Sequence, residues 1–150
     1  MNNIIIRDIK AEDRCEYLNM VRSLFNSNAT VTPFDEKVAN INFENALSGS
    51  KFFRCLIIEN KEEVVGYAYL SFGYSTSSGG MYVFLEDLYI KRKFRGNKIG
   101  NYFINWMVKN FKGSFNAIKL EVTRSNVGAI KFYESLNFCY SEYLHMTLHF

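Results

Sequence analysis

Three stretches rich in β-branched and aromatic residues follow one another in the middle of the chain, and they constrain the fold most. Residues 52–59 and 64–71 each carry such side chains at half of their positions, and they are joined by the polar sequence Asn-Lys-Glu-Glu. Residues 81–90 form the third stretch, after a loop rich in Ser and Gly. Runs of this composition, bounded by polar turns, predict consecutive β-strands, and the first two predict a hairpin.

Helical periodicity surrounds these strands. In residues 98–111 the side chains Ile99, Phe103, Trp106 and Met107 recur at the spacing of a helix that lies on a sheet. Further helices are expected at 11–25, 34–48 and 127–136, and further strands at 4–9, 118–122 and 138–148. In the second helix we expect Val38, Ile41 and Leu47 to face inward. The order β-α-α-β-β-β-α-β-α-β predicts an α/β (α+β) fold, a mixed sheet with helices on both faces.

The composition bounds the classes of function. A chain of 150 residues with 48% hydrophobic and 22% charged side chains is typical of one globular domain, here residues 1–150. It has no run of roughly 20 apolar residues, so we expect no membrane span. A net charge of +3 is too small to indicate a nucleic-acid binder. Cys15, Cys55 and Cys139 lack the spacing of a metal site, so we expect buried, reduced thiols, no metal and a cytoplasmic location.

The most informative segment is residues 85–100, in which a strand leads through a basic turn into a helix. The N–H groups of a first helical turn lack internal partners and carry partial positive charge, so they can seat a phosphate. Gly96 and Gly100 allow a close approach of the backbone, and Arg95 adds charge. Other basic residues surround the turn: Lys91, Arg92, Lys93 and Lys98.

Taken alone, this turn is equally explained as a tight turn with a solvated basic face. The sequence contains neither GxxxxGK[ST] nor GxGxxG, which disfavours nucleotide hydrolysis and dinucleotide redox chemistry.

A second segment, residues 126–138, reads Asn-Val-Gly-Ala-Ile-Lys-Phe-Tyr-Glu-Ser-Leu-Asn-Phe. Together with Arg-Gly-Asn-Lys-Ile-Gly at 95–100, it resembles the GNAT superfamily of acyl-CoA-dependent N-acetyltransferases. The patterns of that family are [QR]-x-x-G-x-[GA] and Asn-x-x-Ala-x-x-Phe-Tyr-x-x-x-Gly-Phe. The strand Leu-Glu-Asp-Leu-Tyr-Ile at 85–90 resembles most the spermidine/spermine (diamine) branch. Lys98 and Asn137 stand where the family has Gly; Asn tolerates the left-handed backbone of a helix end well.

The resemblance implies a mostly antiparallel central sheet that binds acetyl-CoA between two parallel strands, here 85–90 and 118–122. It implies a small-molecule amine as partner, no metal, and for this branch a homodimer. We expect neither nucleic acid nor membrane as partner. The residues implied to hold acetyl-CoA are Leu88, Tyr89, Ile90, Arg95, Gly96, Asn97, Lys98, Ile99, Gly100, Asn101 and Asn126.

The chemistry requires a base, because an alkylammonium must lose a proton before it can attack a thioester. Glu86 is the expected base, and Asp87 is the second choice or a group that orients a cationic substrate. Strand alternation predicts that Glu86 and Asp87 face opposite sides of the sheet. Tyr133 is the expected acid for the departing thiolate. Asn126 is expected to cap the last helix, to contact CoA, or both.

Three other functions stay open from the sequence. The chain could be a non-catalytic acyl-CoA-binding or regulatory domain on the same scaffold. It could act on an aminoglycoside, an amino acid or a protein amine instead of a diamine. The basic residues 91–95 could bind RNA.

Overall fold

The computed structural model describes residues 3–150, and its elements follow the predicted order as far as the last helix. The strands are β1 (Ile4–Asp8), β2 (Phe53–Asn60), β3 (Glu63–Ser75), β4 (Gly80–Ile90) and β5 (Ala117–Leu120). The helices are α1 (Arg14–Phe25), α2 (Glu36–Leu47), α3 (Ile99–Phe111) and α4 (Val127–Ser135). Two short 3₁₀ turns, Ala11–Asp13 and Arg92–Phe94, precede α1 and follow β4.

The strands form one sheet in the order β1-β2-β3-β4-β5. Strands β1 to β4 pair with one another in antiparallel fashion, whereas β5 runs parallel to β4. The tight hairpin between β2 and β3 places Lys61 and Glu62 at φ values of 50° and 66°, the positive values that a type I′ turn requires. The predicted hairpin and the mostly antiparallel sheet are therefore confirmed.

Helices cover both faces of this sheet, as predicted. On one face, α1 and α2 pack on the sheet through side chains such as Tyr17 and Phe43, which surround Tyr67 of β3. On the other face, α3 contributes Phe103 and Met107 to a second core, against which α4 packs at the edge. We call these the α1/α2 face and the α3/α4 face.

The prediction that Val38 and Ile41 of α2 face inward is wrong. Val38 and Ile41 are about half exposed, at 51% and 49%, while Ala39 and Phe43 are buried. Leu47 packs against the core at the end of the helix, as expected. The spacing of Ala39, Phe43 and Leu47 also fits a helix, and it brings the large Phe43 ring under α1. Burial of an aromatic ring outweighs burial of Val or Ile, so this stripe is the one that faces the core.

The predicted closing strand at 138–148 is absent, and β5 is the last strand within residues 3–150. Its alternating sequence suits a strand, but a strand requires an edge that pairs with it, and the single chain pairs this segment with none. His145 and His149 are therefore exposed residues of an irregular segment.

Two other expectations from the sequence concern the burial of the cysteines and the absence of a membrane-spanning helix. The expectation of buried thiols holds for Cys55 only, since Cys15 and Cys139 are exposed. Within residues 3–150, no helix combines the length and the apolar character needed to cross a membrane.

Candidate active site

A β-bulge in β4 places Glu86 and Asp87 on the same face of the sheet. Tyr69 pairs with Asp87 and Leu70 with Leu85, so Glu86 is the extra residue between two ladder positions. Ser71 and Tyr67, which point to the α1/α2 face, donate hydrogen bonds to the Glu86 and Asp87 carboxylates respectively. The prediction of opposite faces is therefore wrong, because strict alternation ends at a bulge.

The two carboxylates differ in their surroundings. Asp87 is largely enclosed, and its Oδ2 accepts a hydrogen bond of 3.0 Å from the Tyr67 hydroxyl. The pKa of Asp87 is raised to about 6, first because the carboxyl is buried and also because the Glu86 charge is near. The hydrogen bond from Tyr67 lowers the pKa, but by less than burial raises it. Glu86 is exposed to solvent. The pair thus combines an accessible carboxylate with a buried neighbour that holds its proton unusually well.

Beyond residue 85 the two parallel strands separate. Their pairing ends at Leu85 and Leu120, whereas β4 continues to Ile90. On the far side, β3 still pairs with β4 up to Gly66 and Ile90. The last residues of β4 are therefore open on the side where β5 would lie.

A cavity of about 1060 Å³ occupies this opening. Its walls are the end of α1 with the following loop, the end of β4, and the first turns of α3 and α4. Most of the sequence-predicted site residues line it: Leu88, Tyr89, Ile90, Arg95, Gly96, Lys98, Ile99, Gly100, Asn101, Asn126 and Tyr133. Asn97, Glu86 and Asp87 are not among its lining residues.

The turn before α3 has two residues in the left-handed region. Gly96 has φ = 80° and Lys98 has φ = 59°. A side chain at such a φ is strained, which explains physically why the resembled pattern has Gly where this chain has Lys98. The Arg95 Nε donates to the Ile90 carbonyl at 2.8 Å, and the Asn97 Nδ2 donates to the Phe94 carbonyl at 3.1 Å. Asn97 thereby stabilises the turn from outside the cavity.

The first turn of α3 faces the cavity with its N–H groups available. Lys98, at the N-cap position, makes no side-chain capping hydrogen bond, and the N–H groups of residues 99–101 have no partner within the helix. A Cβ at Gly100 would lie 3.0 Å from the Phe132 ring, so Gly allows α4 to approach this turn closely. Arg22, Arg92, Arg95 and Lys98 add positive charge to the lining. These residues fit a negatively charged diphosphate group.

The residues predicted on α4 lie at the opposite wall. Tyr133 packs between Phe132 and Phe138, with ring centroids 5.0 Å and 5.4 Å away, and burial raises its pKa to about 12. The Asn126 side chain accepts a hydrogen bond of 3.3 Å from the Ala129 N–H. The capping role expected of Asn126 is therefore confirmed.

Sequence reasoning missed one wall of the cavity, formed by Arg22 and residues 26–29. The Asn28 carbonyl accepts hydrogen bonds from the hydroxyls of Thr123 and Ser125, at 3.0 Å and 3.4 Å. These contacts join the loop after α1 to the loop before α4. Periodicity carries no signal for them, because they connect two irregular segments almost a hundred residues apart.

Comparison with known proteins identifies the family. Residues 18–138 match the Acetyltransferase (GNAT) family. The chain belongs to this family. A thialysine N-epsilon-acetyltransferase from Sus scrofa is 28% identical over 148 residues, which cover 91% of this chain and 84% of that protein. This acetyltransferase is therefore an enzyme of the N-acetyltransferase class, acting on an amine.

Solved structures agree on the fold of the acetyltransferase. A protein from Clostridium difficile 630, described as a possible acetyltransferase, superposes with a TM-score of 0.80 at 20% identity, covering 97% of this chain and 99% of the other. The aminoglycoside N-acetyltransferase AAC(6')-Iy, solved with CoA, gives a TM-score of 0.79 at 14% identity, covering 99% and 96%. Enzymes of this family use acetyl-CoA. Among residues 3–150, no group of three or more His, Cys, Asp or Glu side chains is placed to hold a metal ion.

Proposed function

We propose that residues 1–150 form one acetyltransferase domain that transfers the acetyl group of acetyl-CoA to a primary amine of a small molecule, with a diamine or polyamine as the favoured acceptor. The observation that carries this proposal is the cavity at the divergent end of β4, which has a helix N-terminus and basic side chains at one end. Two carboxylates lie on the strand that forms its floor.

Acetyl-CoA supplies a thioester carbonyl that an amine can attack directly. We assign its diphosphate to the N–H groups of residues 99–101, together with Gly96 and the charges of Arg95 and Lys98. The backbone of Leu88, Tyr89 and Ile90 is open on its β5 side and would hold the pantetheine arm. Asn97 supports the turn through its bond to the Phe94 carbonyl. Asn126 caps α4 at the cavity wall, and a contact of its side chain with CoA is proposed in addition.

Deprotonation of the acceptor is the step that needs a protein base. An alkylammonium with a pKa near 10.4 costs about 4–5 kcal/mol to deprotonate at pH 7. We assign this role to Glu86, because its carboxylate is exposed and borders the open end of β4. Asp87 is enclosed beside Tyr67 and is better placed to orient the cationic acceptor from beneath Glu86.

Tyr133 lies at the α4 wall of the cavity and is assigned to the departing thiolate. Its raised pKa of about 12 makes full proton transfer to a thiolate unfavourable. A hydrogen bond from the phenol to the developing negative charge on sulfur has no such cost and stabilises the transition state. Packing against Phe132 and Phe138 fixes the ring for this purpose.

The acceptor is inferred from charge. Glu86 and Asp87 share the α1/α2 face of the sheet, and two adjacent carboxylates favour a substrate that carries more than one positive charge. The relative from Sus scrofa is named for a thialysine amine, and a fold neighbour is named for aminoglycosides. Thialysine and an aminoglycoside are therefore both included as candidate acceptors in the activity assay.

The proposal is tested by thiol release from acetyl-CoA with spermidine, putrescine, thialysine, an aminoglycoside and a lysine peptide. We expect the highest kcat/KM with a diamine or polyamine. Glu86→Gln should lower kcat by about 10²- to 10⁴-fold, the usual contribution of a general base, while calorimetry finds CoA binding unchanged. Tyr133→Phe retains the ring packing and should lower kcat without changing CoA affinity.

Two outcomes contradict the proposal. CoA binding without thiol release for any amine would favour a non-catalytic acyl-CoA-binding domain. Full activity of Glu86→Gln would remove the assigned base. A cytoplasmic location and a homodimer stay predictions of the sequence.

A further inference from the structure

The Asp87 carboxyl group has no cationic partner among residues 3–150. The ion pairs in this part of the chain use other carboxylates, and neither Glu86 nor Asp87 takes part in one. Withdrawing a carboxylate from water without a counter-charge is costly, and a cation that binds beside it offsets that cost. The chain itself supplies no such cation, so a bound ligand is the natural source of one.

The two oxygens of Asp87 differ in their surroundings. Oδ2 accepts the hydrogen bond from the Tyr67 hydroxyl at 3.0 Å, whereas Oδ1 accepts none from the described residues. Asn60 Oδ1 is the one buried side-chain oxygen or nitrogen within residues 3–150 that lacks a partner, so Asp87 Oδ1 is not sealed from solvent. One oxygen is therefore held inside the protein, and the other is open to a ligand.

Tyr67 is well suited to hold this carboxyl group in place. Its side chain is fully buried, and its ring lies 5.3 Å from the Tyr17 ring of α1 and 6.3 Å from the Tyr89 ring of β4. Packing from two elements fixes the ring and with it the hydroxyl. Tyr69 pairs directly with Asp87 in the sheet, but its hydroxyl donates to the Asn42 carbonyl of α2 at 3.0 Å. Tyr67 is thus the tyrosine that anchors Asp87.

The titratable groups around Asp87 add no positive charge. They come from α1, β2, β3 and β4, and they are Tyr17, Cys55, Tyr67, Tyr69 and Glu86. Burial raises the pKa of the three tyrosines and of the thiol, so at pH 7 only Glu86 among these groups is charged. The hydrogen bond from Tyr67 lowers the pKa of Asp87 and so favours the charged form of this carboxyl.

We propose that Tyr67 is a positioning residue that holds Asp87 as the site for the second positive charge of a dicationic acceptor, while Glu86 takes the proton of the reacting amine. This inference rests on the proposed acetyltransferase function and names the feature of the substrate that the site selects. A monoamine of the same length leaves the Asp87 charge without a partner, so the site discriminates against it.

The first test is a carbon-13 NMR titration of the Asp87 carboxyl, assigned by its absence from Asp87→Asn. Tyr67→Phe keeps the buried ring and removes only the donor, so the pKa of Asp87 should rise above the wild-type value of about 6. Putrescine should shift the Asp87 resonance of the wild type, and butylamine, which lacks the second amine, should shift it much less. An unchanged pKa in Tyr67→Phe overturns the role of Tyr67, and equal shifts from the two amines overturn the dication site.

The second test is the ratio of kcat/KM for putrescine to kcat/KM for butylamine, in which the groups that serve both acceptors cancel. Tyr67→Phe should lower this ratio at pH 7 by about 10- to 100-fold, the contribution of a hydrogen bond to a charged group, and mainly through KM for putrescine. Asp87→Asn keeps an acceptor for the Tyr67 hydroxyl and should lose the same preference, which keeps the test decisive where Tyr67→Phe is unstable. Adding Tyr67→Phe to Asp87→Asn should lower the ratio no further, because Tyr67 acts through Asp87.

The matched control is Tyr69→Phe, which removes a buried hydroxyl from the same strand and face but one that bonds to a backbone carbonyl. It should leave the ratio unchanged. A ratio that Tyr67→Phe does not alter, or that Tyr69→Phe lowers equally, overturns the inference while acetylation of amines still stands. An absence of turnover with every amine contradicts the proposed function instead, and the NMR titration with putrescine then still decides whether Asp87 is a cation site.

Discussion

Glu86 and Asp87 are adjacent in the sequence and share one face of the sheet, yet their environments differ sharply. The bulge turns both toward α1 and α2, where Asp87 is enclosed by Tyr67 and Glu86 stays open to solvent. A buried carboxyl that must ionise lowers the stability of the folded state, whereas an exposed one does not. The arrangement therefore concentrates negative charge near the site at a cost in folding free energy.

That cost gives a pH-dependent prediction for Asp87→Asn, which retains an acceptor for the Tyr67 hydroxyl. The pKa of Asp87 is raised from 3.8 to about 6 in the folded protein, so the folded state binds this proton more tightly than the unfolded state. The penalty is absent below pH 4 and develops as the pH rises through 6. We expect the variant to be about 1–3 kcal/mol more stable than the wild type at pH 8.

Urea denaturation at pH 4 and at pH 8 measures this difference. The Glu86→Gln variant is a second probe: it removes a neighbouring charge that contributes to the raised pKa of Asp87, so it should weaken the pH dependence without abolishing it. A stability difference between Asp87→Asn and the wild type that is the same at both pH values would contradict the burial argument.

At the scale of elements, the turn between β4 and α3 has a strained backbone and also lines the proposed CoA-binding cavity. Lys98 adopts φ = 59° at the N-cap of α3, a conformation that costs a residue with a side chain about 1 kcal/mol. The residues that follow it, Ile99, Gly100 and Asn101, line the cavity. The chain thus keeps a charged side chain beside the expected diphosphate at the expense of a strained backbone.

We predict that Lys98→Gly raises the free energy of unfolding by about 0.5–1 kcal/mol through relief of this strain. Lys98→Ala is the matched control, since it removes the same charge and keeps the positive φ. Both variants should bind CoA more weakly than the wild type, but only the glycine variant should gain stability. Equal denaturation midpoints for the two variants would refute the role of strain.

At the scale of the whole molecule, the cavity exists because several distant segments meet at the end of β4. The loop after α1 is bonded to the loop before α4 through Asn28, and α3 and α4 approach closely at Gly100 and Phe132. A ligand that contacts all of these walls binds only the folded state, so it must stabilise the protein globally.

We therefore expect CoA at a hundred times its dissociation constant to add about 2.7 kcal/mol to the stability, an increase of roughly 5–10 °C in Tm for a chain of this length. Pantetheine, which lacks the diphosphate, is the matched ligand and should shift Tm far less at equal concentration. A scanning calorimeter measures both. Equal shifts from the two ligands would place the binding energy away from the α3 N-terminus.

The sequence by itself determined the elements up to α4 and most of the cavity lining, because both depend on local signals. Alternation and helical spacing depend on a few neighbouring residues, and the two motifs lie at the ends of elements whose type they help to set. Asn137 illustrates this, since its φ of 65° at the end of α4 follows from its own chemistry.

Only the tertiary structure decided features that depend on what a segment meets in space. The bulge at Glu86 follows from how β3 pairs with β4, and the inward stripe of α2 from the space beneath α1. The cavity wall at residues 26–29 follows from contacts with a distant loop. The segment after Phe138 has the alternation of a strand, but pairing is a property of two segments, and within residues 3–150 this segment pairs with no strand.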